Sequence, residues 1–249
     1  MTLQLRKFGV CFALVGVFLL KGTDTSAQQG DSAVAQKIAE LSSRLERASA
    51  NPKEREVTSS AVREEVKNFV ESSLKPADSQ EAIQKRLRYV LETQVPDFEF
   101  SDPPAIRVAN FRNGRALVLA YSVVRPPHFD LPTITAFSDF GGQFRQSASI
   151  GNDFEGYTLF THEIPSPSKD ELWLLAGGKA FTFNGSKFRF RVYKFDGNDF
   201  ETLLAPDDVF DASVQILPDG FSIAHYVRTQ QSSVTDQYKA FGTGLIKVR

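Results

Sequence analysis

The spacing of apolar residues divides the chain into two halves with different patterns. From Asp31 to Gln94 apolar residues recur at steps of three and four, which is the spacing of one face of an α-helix. Three such stripes follow one another and predict three helices. Their members are Val34, Ile38, Leu41, Leu45 and Ala48 in the first, Val62, Val66, Phe69, Val70 and Leu74 in the second, and Ile83, Leu87, Val90, Leu91 and Val95 in the third.

Local signals predict where these helices begin and end. Asp31 or Ser32 is expected to cap the first helix, and Asn51-Pro52 to end it, because the residue before proline avoids the helical region. Residues 58–60 are candidate caps for the second helix, and Asp78 has capping-box spacing for the third. The first helix has a narrow stripe, so we expect a peripheral helix that covers the domain; a helix that pairs with a partner is the alternative.

From Phe98 onward helical spacing gives way to alternation of phenylalanine, valine and tyrosine with polar residues, the period of a strand with one buried face. Pairs that contain glycine punctuate these runs and supply the positive φ angles of tight hairpin turns. The pairs are Asn113-Gly114, Gly141-Gly142, Asn184-Gly185, Gly197-Asn198 and Asp219-Gly220. This half is therefore predicted to be antiparallel β structure.

The strand pattern repeats three times. The runs RALVLAYSVV, DELWLLAGG and FSIAHYVR start at Arg115, Asp170 and Phe221, 55 and 51 residues apart. A strand and a turn precede each run, a strand ending in an aromatic residue and glycine follows it, and a short fourth strand closes the unit. Each unit is predicted to be a four-stranded antiparallel meander. The three units cover about residues 104–150, 154–206 and 209–249.

Units of about 45 to 55 residues with four strands resemble the blades of β-propellers. The resemblance covers residues 104–249 and rests on period and strand count, since no family motif accompanies it. Propellers close with about four to eight blades. Three units therefore imply an open twisted meander covered by the helices, or six units assembled from two chains; a different β fold, such as a barrel or a sandwich, is the further alternative.

The expected fold class is α+β, with N-terminal helices followed by an antiparallel all-β part of three four-stranded meander units, propeller-like or an open twisted sheet. The expected boundaries are a signal peptide over residues 1–27, a helical region over 28–97 and the β-meander over 98–249.

The first 27 residues have the layout of a cleavable secretory signal. Arg6 and Lys7 precede an apolar run over residues 8–20, and small residues at 25–27 precede the expected cut before Gln28. The run is shorter than the roughly 20 residues that span a bilayer. Stable membrane insertion after cleavage is therefore not expected, and an uncleaved signal anchor is the alternative.

Composition narrows the compartment and the partners. Cys11, inside the signal, is the only cysteine, so the cleaved chain has no disulfide, which suits a secreted or periplasmic protein of a bacterial envelope. Cleavage removes three positive charges and one negative charge and takes the net charge from −1 to −3. That balance favours no interaction with nucleic acid.

No catalytic signature is present, and neither a cofactor nor a metal site is predicted. Ser166 and Lys169 have the serine-x-x-lysine spacing of penicillin-recognising hydrolases, but the accompanying motifs are missing. Residues 196–199, Asp-Gly-Asn-Asp, offer oxygen ligands for calcium but fewer than a full site needs, so a hairpin turn is expected there.

Six residues are candidates for binding. His128 and Asp130 lie in a loop between proline groups, and loops carry sites more often than strands do. His162 and Glu163 lie on a strand; for His162, as for His225, a buried, hydrogen-bonded histidine is the favoured interpretation over a ligand or base. Arg189 and Arg191, with Lys187, form a basic row that could meet an anionic partner. A solvated outer face or a charge-protected edge strand explains the row as well.

These observations favour an exported, non-enzymatic protein that binds or assembles with a protein or another extracellular ligand, through end loops or an exposed sheet edge. A homodimer is a further possible assembly. The alternative is a hydrolase or carbohydrate-active enzyme whose residues are scattered among loops. That class would gain support if His128, His162 or Glu163 converged with Asp130 or Asp170. A purely structural envelope component is the third class.

Overall fold

A computed structural model describes residues 22–48, 51–92, 104–122, 132–154, 156–182 and 185–248 of the chain. Three helices come first: α1 Gly22–Arg47, α2 Pro52–Ser73 and α3 Gln80–Glu92. The predicted stripes are their buried sides. Every residue of the second stripe is at most 2% exposed, and Ile83, Leu87 and Val90 of the third are fully buried. The three predicted helices are therefore confirmed.

The start of α2 differs from the prediction. Asn51 caps the helix, and its side chain accepts a hydrogen bond from the Glu54 N–H at 3.3 Å. Pro52 occupies the first turn, where its missing N–H costs no hydrogen bond. Asn51-Pro52 therefore starts the second helix as well as separating it from the first, and the predicted caps at 58–60 lie inside α2.

The other two helix starts also lie away from the predicted residues. α1 begins at Gly22, which places Asp31 and Ser32 within the helix. α3 is capped by Ser79, whose Oγ accepts a hydrogen bond from the Ala82 N–H at 3.1 Å, one residue after the predicted Asp78. The Asp78 carboxylate instead accepts a hydrogen bond from the Lys75 N–H at 2.8 Å.

The described residues contain twelve strands, all in antiparallel pairs. They are β1 Ala105–Phe111, β2 Gly114–Ser122, β3 Pro132–Phe140, β4 Gln143–Ile150, β5 Phe160–Ile164, β6 Leu172–Thr182, β7 Gly185–Phe195, β8 Phe200–Leu204, β9 Val209–Leu217, β10 Gly220–Val227, β11 Ser232–Phe241 and β12 Gly244–Lys247. A 3-10 turn, Asn152–Phe154, separates β4 from β5.

Strand pairing gives three four-stranded meanders, which we call unit 1 (β1–β4), unit 2 (β5–β8) and unit 3 (β9–β12). Unit 1 is a sheet of its own. Units 2 and 3 are joined, because β7 pairs with β8 along one part of its edge and with β9 at Lys187 and Phe188. The α+β class with an open twisted arrangement is confirmed, and the joint between units 2 and 3 is an addition to the predicted pattern.

The helices and the three units pack face to face in chain order. One face of unit 1 packs against the helices, where Leu117 and Phe137 meet Phe69 of α2. Its other face packs against unit 2, where the Phe111 and Phe195 rings meet edge to face at 5.3 Å. The opposite face of unit 2 packs against unit 3 through residues that include Phe190, Phe221 and Tyr238.

The first helix is a peripheral layer over α2 and α3, as expected. Ile38, Leu45 and Ala48 of its stripe are buried. A buried ion pair holds it to α3: the Arg86 guanidinium donates to the two oxygens of Asp31 at 2.6 and 2.8 Å, and Asp31 is 6% exposed. Two parallel bonds between a guanidinium and a carboxylate fix orientation as well as distance, so this pair sets the position of α1.

We expect Asp31→Asn to lower the free energy of unfolding by about 2 kcal/mol, because Arg86 loses its charged partner. Urea denaturation measures this loss. Lys37→Gln is the matched control, since the Lys37–Glu65 pair at 3.0 Å also holds α1 but Lys37 is 60% exposed. Its loss should stay below about 0.5 kcal/mol. Equal losses for the two variants would contradict the assigned role of Asp31.

Candidate binding groove

An open groove lies between the β5 edge of unit 2 and the first strand of unit 3. It encloses about 360 Å³, within the size range of small-ligand sites. Phe160 and Phe188 form its aromatic floor, and Ala212, Ser213 and Val214 of β9 form one wall. His162 and Lys179 lie at the opposite rim. Unit 3 therefore covers only part of the unit 2 face on which it packs.

A glycine allows the aromatic floor to form. Phe160 is directly opposite Gly177 in the β5–β6 pair, and a Cβ at position 177 would collide with the Phe160 ring. Glycine in a strand commonly marks such a close approach. The Phe160 ring lies against the sheet and stacks on Phe188, with centroids 5.7 Å apart and planes at 15°. The floor is thus set by packing: Phe160 is half-buried and supplies the accessible surface, and Phe188 beneath it is 1% exposed.

The β9 wall is set by a bulge. The register of β9 against β10 shifts between Ala224 and Tyr226, and Asp211 adopts a φ of 47°, which is rare for a residue other than glycine. The Asp211 carboxylate accepts hydrogen bonds from the Ser186 N–H at 2.9 Å and from its hydroxyl at 3.2 Å. Bulges redirect the side chains that follow them, and after this one Ala212 and Val214 lie on the groove side of β9.

The two candidates on β5 are on opposite faces of the strand. His162 faces the groove and is exposed, with its ring centroid 5.7 Å from that of Phe160. The expectation that it is buried is therefore wrong, because unit 3 does not extend over this part of β5. Glu163 faces unit 1, where its carboxylate lies 3.8 Å from Arg107. His128 and Asp130 lie outside the described residues.

The basic row on β7 is neither a solvated face nor an edge. β7 is a central strand, and Lys187, Arg189 and Arg191 lie on the face turned toward unit 1. Arg189 donates two hydrogen bonds to the Asp208 carboxylate at 2.8 and 2.9 Å, and Lys187 lies 2.7 Å from the same carboxylate. Arg191 donates to the Pro206 carbonyl at 2.8 Å. The row therefore binds the segment that links β8 to β9.

Two tyrosines complete this ionic cluster. The Tyr157 hydroxyl donates to Asp208 at 3.0 Å, and Arg189 lies over the Tyr157 ring at 4.5 Å. Burial of Asp208 opposes ionisation, but the hydrogen bonds from Arg189, Lys187 and Tyr157 outweigh it and hold the pKa of Asp208 well below its usual value. Burial and the hydrogen bond to Asp153 raise the pKa of Tyr193. This cluster, which we call the clasp, holds the segment between β8 and β9 against β7, and its polar groups bond to one another.

The remaining polar candidates have local roles. His225 points inward with its side chain 11% exposed, and its Nε2 lies 3.3 Å from Asp236, so the histidine is largely buried and hydrogen-bonded. Asp196 accepts hydrogen bonds from the N–H groups of Asn198 and Asp199, so the expected hairpin turn at 196–199 is confirmed. The Ser166 hydroxyl bonds to the Ser168 backbone.

The described residues contain no group of three or more histidine, cysteine, aspartate or glutamate side chains that could hold a metal ion. None of the helices in the described ranges is both long and apolar enough to cross a membrane.

Sequence reasoning identified one groove residue, His162, and missed Phe160, Lys179 and Phe188 as parts of a site. Alternation did place Phe160 and His162 on one face of a strand. The local signal that was available is the Gly177-Gly178 pair inside an apolar strand pattern, which indicates close approach by another group. The group that approaches Gly177 is the Phe160 ring, and this becomes visible only once β5 and β6 are paired.

Comparison with family models, with curated proteins and with solved structures gives no match to this chain. The resemblance to propeller blades therefore stays a prediction.

We expect Asp208→Asn to lower the free energy of unfolding at neutral pH by about 2 kcal/mol, because Arg189 and Lys187 lose a charged acceptor. A carboxylate whose pKa is lower in the folded than in the unfolded state stabilises the fold above its unfolded pKa. This stabilisation is lost as the pH falls toward the folded pKa. The difference between wild type and variant should therefore shrink between about pH 5 and about pH 2. Urea denaturation at a series of pH values measures it.

Asp207→Asn is the matched control, since Asp207 is the neighbouring exposed aspartate. This variant should lose stability at acid pH in the same way as the wild type. A pH-independent loss for Asp208→Asn, or equal losses for the two variants, would contradict the clasp.

Proposed function

We propose that this chain is an exported binding protein of a bacterial envelope, which captures an extended segment of a partner protein along β5 and the adjoining groove. The observation that carries the proposal is the position of an aromatic groove directly beside a strand edge that has no described partner. Neither feature alone selects an extended peptide; together they offer main-chain hydrogen bonds and a pocket for side chains.

The strand edge supports this proposal through its backbone. β5 pairs with β6 over five residues, and no other strand of the described ranges pairs with it. Its outward N–H and C=O groups can therefore pair with an added strand. Because alternate residues of a strand face the same side, side chains of the added strand would enter the groove beside Phe160 and His162.

The groove lining indicates the chemistry of the partner. Phe160 on the floor and Val214 on the wall offer half-buried apolar surface, which fits an aromatic or branched aliphatic side chain. Lys179 is exposed at the rim, and none of the described lining residues carries a carboxylate. An apolar side chain flanked by an acidic residue is therefore the favoured recognition element.

The length of β5 limits what can bind. The strand has five residues, and Pro165 and Pro167 follow it directly. Proline cannot donate to a strand ladder, so pairing beyond Ile164 is blocked at that end. Short edges flanked by proline are a common protection against indiscriminate pairing. The edge is thus suited to one short segment and resists sheet extension.

Enzymatic function gains no specific support from the described residues. The hydrolase and carbohydrate-active alternatives would gain support if His128, His162 or Glu163 converged with Asp130 or Asp170 in one cleft; of these, His128 and Asp130 lie outside the described residues. His162 faces the groove with Lys179, while Glu163 lies on the opposite strand face beside Arg107. We therefore place the binding function first.

Export is the second part of the proposal and rests on the signal layout of residues 1–27. Expression with that segment in a bacterial host should yield a periplasmic or secreted protein whose first residue is Gln28. Mass spectrometry of the intact protein checks this. A cytoplasmic protein that retains Met1 would contradict the proposed compartment and would leave the proposal for the groove unaffected.

The groove is tested with defined peptides of about eight residues, in which phenylalanine alternates with threonine and one glutamate flanks the central phenylalanine. Fluorescence polarisation should give a saturable isotherm in the micromolar range. Phe160→Ser should weaken binding about tenfold or more, because it removes the aromatic floor. Lys179→Glu should weaken the acidic peptide more than its glutamine version.

Phe140→Ser is the matched control, because Phe140 is 78% exposed on the β3–β4 hairpin and lies outside the groove. It should bind the peptide like wild type. Equal affinities for Phe160→Ser and Phe140→Ser, with both variants folded, would refute the groove as the binding site.

A second copy of the chain is the competing occupant of the β5 edge. Light scattering coupled to size exclusion, at several concentrations, distinguishes the two occupants. The proposal predicts a monomer whose β5 is available to peptide. A stable dimer that the Phe-containing peptide fails to dissociate would instead assign the edge to self-association.

A further inference from the structure

A second cavity lies on the other side of the molecule, between α2 and the helix-facing side of unit 1. It encloses about 60 Å³, roughly four times the volume that one water molecule needs. We propose that it binds a small oxyanion, such as a carboxylate or an inorganic phosphate. The Arg63 guanidinium supplies the charge, and hydroxyl groups of β2 and β3 supply the neutral donors.

Buried hydroxyl groups line the inner wall. Tyr121, Thr133 and Thr135 are each at most 5% exposed, on a face that otherwise carries Leu117, Phe137 and other apolar residues. Polar side chains are rarely placed in such a core without a use for their hydrogen bonds. Burial raises the pKa of Tyr121, so its hydroxyl stays protonated and can donate at every physiological pH.

Donors outnumber acceptors among these groups. Arg63 Nε donates to the Thr133 hydroxyl oxygen at 3.2 Å, and the Thr133 and Tyr121 hydroxyls bond to each other. In a hydrogen-bonded pair of hydroxyls one O–H group is the donor, so the O–H group of the other hydroxyl is left to donate elsewhere. The Thr135 hydroxyl already donates to the Ala148 carbonyl at 3.2 Å. The spare donor of the Tyr121–Thr133 pair lies in a cavity that Arg63 also lines.

The two charged residues that line the cavity, Arg63 and Lys67, are both basic. Arg63 is half-buried, and within the described ranges its one hydrogen bond is the bond to Thr133. Lys67 also lines the cavity, although it lies 3.2 Å from the exposed Glu64 on the same helix. None of the described lining residues is acidic. A half-buried guanidinium without a carboxylate partner favours an anionic ligand, for which its planar fork provides parallel donors.

A second carboxylate of α2, that of Glu71, is bound to β4 beside the mouth of the cavity. Glu71 accepts hydrogen bonds from the Gln146 N–H at 2.9 Å and from Arg145 at 3.0 Å. Burial of Glu71 opposes ionisation, but these hydrogen bonds outweigh it and lower its pKa. Glu71 is thus neutralised chiefly by Arg145 and the Gln146 backbone N–H, with a smaller contribution from Lys67.

A β-bulge shapes the mouth. The register of β3 against β4 shifts between Ala136 and Phe137, so Ser147 is an extra residue on β4. The shift places Gln146 and Ser149 at the cavity, and both are exposed. Bulges are enriched where a sheet re-aims side chains at a site. The mouth is therefore polar and open to solvent, as entry of a small anion requires.

The test titrates the whole protein with sodium phosphate and, separately, sodium acetate, at constant ionic strength maintained with chloride. Melting temperature and ¹⁵N chemical shifts are the readouts. We expect a saturable rise in melting temperature and shifts of the α2 and β3 amides around Arg63 and Thr133. Phosphate alone would show a tetrahedral site, and acetate alone a carboxylate site; either result supports the proposal.

Two variants separate binding from a structural role of the same residues. Arg63→Gln should weaken the anion about tenfold or more, whereas Arg112→Gln, an exposed arginine on the β1–β2 turn, should leave affinity unchanged. If Arg63→Gln proves unstable, Tyr121→Phe removes one hydroxyl and should still weaken binding. No saturable response to either anion, or equal responses in the Arg63 and Arg112 variants, would overturn the proposal.

Discussion

Burial of two strands on both faces is the constraint on which the rest of the structure depends. β2 is the second strand of unit 1 and β6 the second of unit 2, and each sends alternate side chains into two different cores. Strands buried on both sides read as continuous apolar runs, which is why ALVLAY and LWLLAGG stand out in the sequence. Each of these strands needs a packed layer on both of its faces. The helices, unit 1, unit 2 and unit 3 therefore stack in chain order.

The two ends of the stack meet solvent in different ways. The helices cover the outer face of unit 1, so their narrow apolar stripes have a partner. The outer face of unit 3 needs no cover, since Gln215, Ser222 and Gln237 form a polar row there. Between these ends, unit 3 covers only part of the unit 2 face, and the groove lies where that cover stops. The groove is thus a consequence of how the last unit packs.

Periodicity in the sequence predicted the helices, the twelve strands and their grouping into three units, because spacing depends only on the chain. It did not predict the β7–β9 joint, which consists of two residue pairs between strands of different units. Nor could it assign the basic row, since the partner of Arg189 is Asp208, 19 residues away in a linking segment. His162 was identified as a candidate, but its exposure depends on the extent of unit 3.

The most direct test of the central claim is hydrogen exchange of β5 with and without the Phe-containing peptide. The account predicts that the β5 amides not bonded to β6 exchange fast in the free protein and become protected on binding, together with Ala212–Val214 across the groove. Protection of β9 alone would show a side chain in the groove without strand addition. Unchanged exchange throughout β5, under conditions where the peptide is bound, would contradict capture of an extended segment along this edge.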